Sequence, residues 1–517
     1  MLALVSAVLL ILAFPDFELW WLAWFALVPL MWAVEREKLS TAKSFVLGWL
    51  FGTVFFFGTC WWLTFAPITY AHFPWPLAYF LMLCVCLIVG LFPAIFAGIL
   101  SVLLRRFGSW AFLAAPFVWV FTEFLRYWLT GNNWNAIGYS QAFFIPSYYD
   151  AFLRVGGVAV VSFHSVALSG AVLFSELMRR GSWAFQRLVF ILPGLLLLPP
   201  LWTSSAAIWN RPEPSVFKPS PVANVIALQP NVPMSGVDSI KLDQLRQRQI
   251  DLAEIEIKKL PTADRQLPTV VILPESPMNF MYEDDREFQK FINDFARRNN
   301  VSVLFNSAEP DKGTTKYFNS AVMVGPEGNE IAEYDKIYLL PFGEAVPAFL
   351  DGIVPGFVGN FAYGRKYDLL PVGDAKAGVM ICFESHFGEL SRHYVANGAD
   401  VIIEMTNDGY LGPTPVLRQH LANAVFRAVE TNRPVLRVTN VGVTAYINER
   451  GEVIDPAPTY AEVTRVWSVS KSDGSQTFYV KYGDWFAWLC SVVTIGLLIL
   501  SFRKRRSESP TATNNIA

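Results

Sequence analysis

A chain of 517 residues that is 53% hydrophobic and 15% aromatic is too apolar for an ordinary soluble globular protein of its length. A net charge of −2 at pH 7 excludes the basic footprint of a nucleic-acid binder, so no nucleic-acid partner is expected. The apolar residues crowd 1–207 and return at 485–502, whereas 208–482 has the mixed composition of a water-soluble domain large enough for its own core.

In chain order, apolar runs approaching the roughly 20 residues that cross a bilayer core fall near 2–14, 17–34, 44–66, 77–104, 109–129, 151–178, 184–207 and 485–502. The first is short and is split from the second by "FPDFE", so the two read as a hairpin. Residues 1–14 lack the basic start and small-residue cleavage site of a removable leader. The expected architecture is a membrane α-helical bundle of about eight spans joined to an α/β domain. Residues 1–207 carry seven of the spans, 208–482 form the α/β domain, and 483–517 hold the last span and a basic tail.

Orientation follows from the loops. Arg36, Lys38 and Lys43 lie in the first basic connection, Arg105 and Arg106 in the next, and Arg179, Arg180 and Arg187 in a third. The tail brings Arg503, Lys504, Arg505 and Arg506, and the intervening connections "PITYAHFPWP" and "GNNWNAIGYSQ" hold no Lys or Arg. This alternation places both termini in the cytoplasm and 208–482 on the opposite side.

Within 208–482, "TVVILPES", "VSVLFNSAE", "GVMICFES" and "DVIIEMTND" read as strands ending in polar residues. "DREFQKFINDFARRNN" and "PVLRQHLANAVFRAVETN" read as helices, the second with Leu417, Leu421, Ala424, Val425 and Ala428 on one face. Hairpins are expected at "GPEGN" and "NERGE". In such α/β folds ligands bind beyond the strand ends.

Of five cysteines, Cys60, Cys84, Cys86 and Cys490 sit in apolar runs, and Cys382 is the one thiol of the water-soluble block. One thiol cannot form an internal disulfide, which leaves an inert packed cysteine or a chemical role. Glu275, Lys336 and Cys382 each follow a predicted strand. Together they suit acyl chemistry: a thiol nucleophile needs a base, which Glu275 supplies, and a cation such as Lys336 favours thiolate and oxyanion. The backbone N–H of Phe383 is a natural second oxyanion donor. The competing arrangement is a thiol–imidazole pair with His386, His393 or His420, which lacks the usual flanking sequence. No paired-ligand spacing marks a metal site, and thiol, carboxylate and amine together require no cofactor.

"LPES", "YDKIYLLPFGEAVP" and "ICFES", in that order, resemble the Glu–Lys–Cys motifs of the nitrilase superfamily, an α-β-β-α sandwich acting on carbon–nitrogen bonds and in acyl transfer. "MTNDGYLGPT" and "RAVETNRPVLRVTNVGVTAYINERGEV" extend the likeness, and "TEFLRYWLTGNNWNAIGYSQ" is similar to its membrane-embedded branch, the apolipoprotein N-acyltransferases of the bacterial inner membrane. The resemblance implies a ping-pong reaction. Cys382 takes an acyl chain from a membrane phospholipid, and the α-amino group of a diacylglyceryl cysteine on an apolipoprotein accepts it. It implies Glu275 as base, Lys336 as oxyanion partner, Glu344 as a supporting carboxylate, and Phe383 and Glu384 as the two residues after the nucleophile. In such a membrane the outward side given by the loop charges is the periplasm, and the chain is expected to be a monomer. The chain departs from the pattern where Phe383 stands for a frequent Tyr, Tyr410 for a Trp, and "GNNW" for G-F-P-W, and no Trp follows "QPNVP".

"EAVPAFLDGIVPGFVGNFAYGR" carries Phe349, Phe357 and Phe361 among Gly and Pro, without regular periodicity. It reads as an acyl-chain portal on the membrane or as a core insertion. With Tyr410, these aromatics are the candidate substrate-access residues. Glu123 and Arg126, three apart on one predicted span, can pair on one face. The alternative classes are a tethered amidohydrolase with water as acceptor, and a transporter or receptor with an inert outer domain.

Overall fold

The computed structural model describes residues 1–15, 17–144, 149–178, 220–236, 238–262, 264–275, 278, 280–341, 343–345 and 361–503. The expected span at 184–207, the candidates Phe349 and Phe357, and the basic residues 179, 180, 187 and 504–506 lie outside them.

The first half is helical: α1 (Leu2–Ala13), α2 (Val28–Arg36), α3 (Thr41–Cys60), α4 (Phe65–Thr69), α5 (Trp75–Val89), α6 (Leu91–Phe107), α7 (Ala111–Thr130) and α8 (Asp150–Met178). Among the described residues four helical stretches are long and apolar enough to cross a membrane, against the eight expected: Thr41–Thr69, Trp75–Thr130, Asp150–Leu177 and Trp485–Phe502. Leu2–Ala13 is apolar but shorter. The run read as a span at 17–34 is a 3-10 turn, Trp20–Trp24, followed by the short α2. The run at 77–104 divides at Gly90 into α5 and α6, where Pro93 has no N–H to bond the carbonyl of Val89.

Helix packing in this half depends on missing side chains. A Cβ at Gly48 of α3 would lie 2.3 Å from the Pro93 carbonyl oxygen and 2.7 Å from Ala97 Cβ of α6. Glu123 and Arg126 interact electrostatically across one turn of α7, and each also makes hydrogen bonds of its own. Glu123 accepts from Trp119 Nε1 at 2.7 Å and from the backbone N–H of Ile137 at 2.8 Å, which turns the post-α7 loop back onto its helix. Arg126 donates to Asn133 Oδ1 at 2.9 Å and lies over the Phe56 ring.

The second half is a two-sheet sandwich. One sheet runs β13-β1-β2-β3-β4-β5, with β6 beside β4, and the other runs β12-β11-β10-β9-β8-β7. The strands are β1 (Pro221–Gln229), β2 (Thr269–Ile272), β3 (Ser302–Pro310), β4 (Tyr317–Val324), β5 (Glu330–Asp335), β6 (Phe361–Ala362) and β7 (Leu369–Val372) in sequence. β8 (Ala375–Ile381), β9 (Val401–Thr406), β10 (Val435–Thr439), β11 (Ala445–Ile447), β12 (Val453–Ile454) and β13 (Val463–Ser470) complete them. β1, β2 and β3 are mutually parallel, as are β8, β9 and β10.

Period-2 alternation builds the layers. Ala223, Val225 and Ala227 of β1 join the core shared with Val379 and Ile381 of β8. Ile226 and Leu228 instead pack with α9 (Ser239–Lys259) and α10 (Arg286–Asn299), through Ile250, Phe288 and Ile292. The other outer layer is α11 (Gly388–Ala396) and α12 (Val416–Thr431). The predicted strands, both long helices and both hairpins are present, and the fold is the expected α-β-β-α sandwich. The chain then passes through α13 (Phe478–Tyr482) into α14 (Trp485–Phe502).

Helix α12 differs from a surface amphipathic helix. Every residue but Arg418 is buried, because its polar side meets the helical half rather than water. Arg418 pairs with Glu18 through both carboxylate oxygens, at 2.7 and 3.0 Å, and Glu430 accepts from the backbone N–H of Val158 at 3.1 Å. That N–H is freed by a break in α8 at Gly156 and Gly157, whose backbone angles are non-helical.

Candidate active site

Three strand ends converge. Glu275 lies just beyond β2, Lys336 directly follows β5, and Cys382 directly follows β8 at the start of a 3-10 turn, Cys382–His386. Lys336 is fully buried; its Nζ lies 2.7 Å from Glu344 Oε1 and 3.8 Å from Glu275 Oε1. Asn319 of β4 donates one amide group to both carboxylates, at 2.6 Å to Glu344 Oε1 and 3.3 Å to Glu275 Oε1. The backbone N–H of Asn407 holds Glu275 Oε2 at 3.1 Å, and that of Leu340 holds Glu344 Oε2 at 2.7 Å. Cys382 has φ +53°, a left-handed backbone that costs a residue with a Cβ about 1–3 kcal/mol and persists only where its surroundings enforce it. The turn projects the thiol out of the sheet toward Glu275 and Thr406, its side-chain partners.

Electrostatics follow from burial and this carboxylate–ammonium cluster. Burial raises the Glu275 pKa, Lys336 opposes the rise and Glu344 adds to it. The Cys382 thiol is pushed well above its ordinary value, by burial and then by Glu275, against the pull of Lys336. Burial disfavours the Lys336 ammonium, but the Glu344 and Glu275 carboxylates more than restore it, so it stays charged. A protonated thiol beside a carboxylate of raised pKa, with a fixed cation adjacent, can pass its proton to that carboxylate as it attacks.

Glu384 faces into the fold. Its Oε1 accepts from Tyr334 Oη and the backbone N–H groups of Ile337 and Tyr338, and its Oε2 from that of Ile381. It thus ties the segment after Lys336 to the residue before Cys382, and burial raises its pKa to about 7. Phe383 is buried and stacks on the His386 ring. Tyr410 is about half exposed, with its ring 6.3 Å from that of Tyr70 and its pKa raised to about 12, by burial and then by Glu275 and Cys382. Phe361 lies in β6, and its N–H donates to the Glu344 carbonyl oxygen at 3.4 Å.

The histidines of the alternative arrangement are engaged elsewhere. His386 Nε2 accepts from the backbone N–H of Asn133 at 2.9 Å, and His393 Nδ1 lies 2.9 Å from the Glu389 carbonyl oxygen. His420 Nε2 bonds the carbonyl oxygen of Cys382 at 3.0 Å, not its sulfur. Among the described residues no group of His, Cys, Asp or Glu could hold a metal ion. Sequence reasoning missed Asn319, Thr406 and Asn407 as parts of this site, and it weighed His420 as a base for the thiol rather than as a partner of the Cys382 carbonyl. Asn319 carried a usable signal, a polar residue inside an apolar strand; the others acquire their roles through contacts distant in sequence.

A sandwich with thiol, carboxylate and ammonium at converging strand ends, joined to a membrane-type helical half, defines a membrane-bound enzyme of the carbon–nitrogen hydrolase class. Residues 6–171 match the model of the apolipoprotein N-acyltransferase N-terminal domain, and 223–477 match that of the carbon-nitrogen hydrolases. The apolipoprotein N-acyltransferase of Geobacter metallireducens is 31% identical over 514 residues, covering 98% of this chain and 95% of that protein. Its counterpart from Thermotoga maritima is 29% identical over 519 residues, with coverage of 98% and 95%. The chain belongs to the apolipoprotein N-acyltransferase family.

Proposed function

We propose that this protein N-acylates apolipoproteins with an acyl chain from a membrane phospholipid, through a thioester on Cys382. The observation that carries this reading is the buried Glu275–Lys336–Glu344 cluster beside a thiol on a left-handed turn. Glu275 takes the Cys382 proton while sulfur attacks the ester carbonyl of the lipid. Lys336 and the Phe383 N–H stabilise the oxyanion, and collapse forms the thioester as the protonated lysophospholipid alcohol leaves. The α-amino group of the diacylglyceryl cysteine then attacks the thioester. An amide forms, the thiolate leaves, and the amine's proton returns to the thiol through Glu275.

The helical half serves a physical need, since both substrates keep acyl chains in the bilayer. The proposed topology puts 208–482 on the periplasmic side, both termini in the cytoplasm, and 483–517 as the last span and tail. The protein is proposed to work as a monomer. Tyr410 and Phe361, with Phe349 and Phe357, are proposed to guide acyl chains to the thiol. Replacing Phe357 and Phe361 with Ser is expected to slow transfer far more than it lowers thermal stability.

The test is intact-protein mass spectrometry in detergent, before and after phospholipid is added without acceptor. A hydroxylamine-labile gain of one acyl chain at Cys382, absent in Cys382→Ser and discharged by a diacylglyceryl peptide, is expected. Turnover should fall at least about 10⁴-fold in Cys382→Ala. A thiol that takes no acyl chain yet releases carboxylate from small amides would make the site a hydrolase instead.

A further inference from the structure

We propose that the helical half positions the nucleophile through two consecutive residues of α12, with Gln419 gripping the membrane helices and His420 gripping Cys382. The inference rests on the reading of Cys382 as nucleophile and concerns how its geometry is set.

The left-handed Cys382 backbone must be enforced by its surroundings. His420 is 4% exposed, and its Nε2 donates to the Cys382 carbonyl oxygen at 3.0 Å. The opposite ring nitrogen, Nδ1, lies 2.6 Å from Asp408 Oδ1, and Arg437 Nη2 holds the other oxygen of Asp408 at 2.8 Å. The imidazole is therefore fixed at both nitrogens, and it fixes the peptide that must stay turned for the thiol to project.

Gln419, also 4% exposed, points into the other half of the molecule. Its Oε1 accepts from Trp62 Nε1 at 3.1 Å and Trp134 Nε1 at 3.0 Å, and its Nε2 donates to the Thr59 carbonyl oxygen at 2.9 Å. Thr59 and Trp62 mark the end of α3, and Trp134 lies in the loop after α7. That loop also reaches the far end of the nucleophile's turn, where the Asn133 N–H bonds His386 and the Trp134 ring stacks on the His386 ring with centroids 5.4 Å apart. The Cys382–His386 turn is thus held at its first residue by His420 and at its last by the loop. Bonds that merely joined two domains would have no reason to converge on the turn that carries the thiol.

The experiment measures Cys382 alkylation by iodoacetamide, with peptide mass spectrometry separating it from the other thiols, in the full chain in detergent. Thioester formation from phospholipid is followed in parallel. His420→Gln can place an amide nitrogen near the lost Nε2, whereas the shorter side chain of His420→Asn reaches only toward Asp408. Since a misplacement of about 1 Å can cost roughly 10²-fold in rate, His420→Asn should slow both reactions by about that factor with an unchanged KM for phospholipid. His420→Gln should restore most of the loss, and Gln419→Leu should slow both reactions by about tenfold. Equal losses in the Asn and Gln variants, or a lowered Tm with normal rates, would overturn the role of His420. A lowered Tm with normal rates in Gln419→Leu would overturn the link to the membrane helices. Iodoacetamide needs no lipid, so a wild-type chain that alkylates but takes no acyl group would refute the acyltransferase reading alone.

Discussion

The two halves of the molecule settle their interiors by opposite means. In the helical half, α3 and α6 approach where side chains are absent, with Gly48 against the Pro93 carbonyl oxygen. Close backbone contact of this kind replaces the hydrophobic driving force that lipid cannot supply between helices. In the α/β half the interior holds polar groups, with Lys336 fully buried between two carboxylates that share an amide donor. A buried charge is tolerable only when paired and hydrogen-bonded. One half is therefore expected to fail when something is added, the other when something is taken away.

The largest effect should come from Lys336→Met. It leaves Glu275 and Glu344 buried without their cation, and breaking a buried pair typically costs about 3–5 kcal/mol. The sign with pH is set by the carboxylates. Burial already raises the Glu275 pKa, with Lys336 as the main opposing influence. Without the lysine it rises further, so the folded state binds protons that the unfolded state has released. The stability deficit relative to wild type should be full at alkaline pH and close as the solution is acidified, in denaturant melts across a pH series. Thioester formation should be lost throughout.

Next is Gly48→Val, which forces a Cβ onto backbone 2.3 Å away; overpacking of a rigid contact costs roughly 1–3 kcal/mol or more. Gly98→Ala is the control on the same pair of helices, since its Cβ would meet only side-chain atoms, at 3.7 and 3.8 Å. The valine should lower the melting temperature in detergent and the alanine should hold or raise it. Similar behaviour of the two would remove the close-contact account of the helical half.

The same contrast explains what was legible beforehand. Strands β2, β8 and β9, and the residues placed just past them, were visible because an apolar run ending in a polar residue is a local pattern. The apolar side of α12 was equally visible through Leu421, Ala424, Val425 and Ala428, but nothing in its periodicity shows that its polar side is buried as well. Gln419 and His420 bind partners hundreds of residues away or across the sheet, and no periodicity records that. In the helical half the spans expected at 44–66, 109–129 and 151–178 fall on membrane-length helical stretches, whereas those expected at 17–34 and 77–104 are broken. Composition does not register that residues 20–24 turn, nor that Gly90 and Pro93 divide a long run.

A smaller loss is expected from Glu384→Gln. The carboxylate takes three donors on Oε1 and the Ile381 N–H on Oε2. An amide keeps the first set but turns its own donors toward Ile381, and leaving one buried donor unsatisfied costs about 1–3 kcal/mol. The Lys336 and Cys382 segments it joins should loosen together, lowering both Tm and the acylation rate. A stable variant with a normal rate would show that the tie is dispensable.

The smallest effect is a displacement in pH rather than a loss. Glu344 acts on Glu275 in two ways, as a like charge that raises the Glu275 pKa and as the nearer partner of Lys336. In Glu344→Gln the like charge disappears, and the ammonium no longer has a second carboxylate to satisfy. Both changes favour ionised Glu275, so its pKa should fall. Because the base must be ionised to accept the thiol proton, the acid limb of acylation should move to lower pH. The Asn319 and Lys336 contacts can be kept by the amide oxygen, while the Leu340 N–H loses its acceptor. The plateau rate should therefore fall only about tenfold or less, because the Leu340 N–H that loses its acceptor is exposed to water. A limb that moves to higher pH would mean that Glu344 holds Lys336 in place for Glu275, and that the lysine retreats when its nearer partner is neutralised.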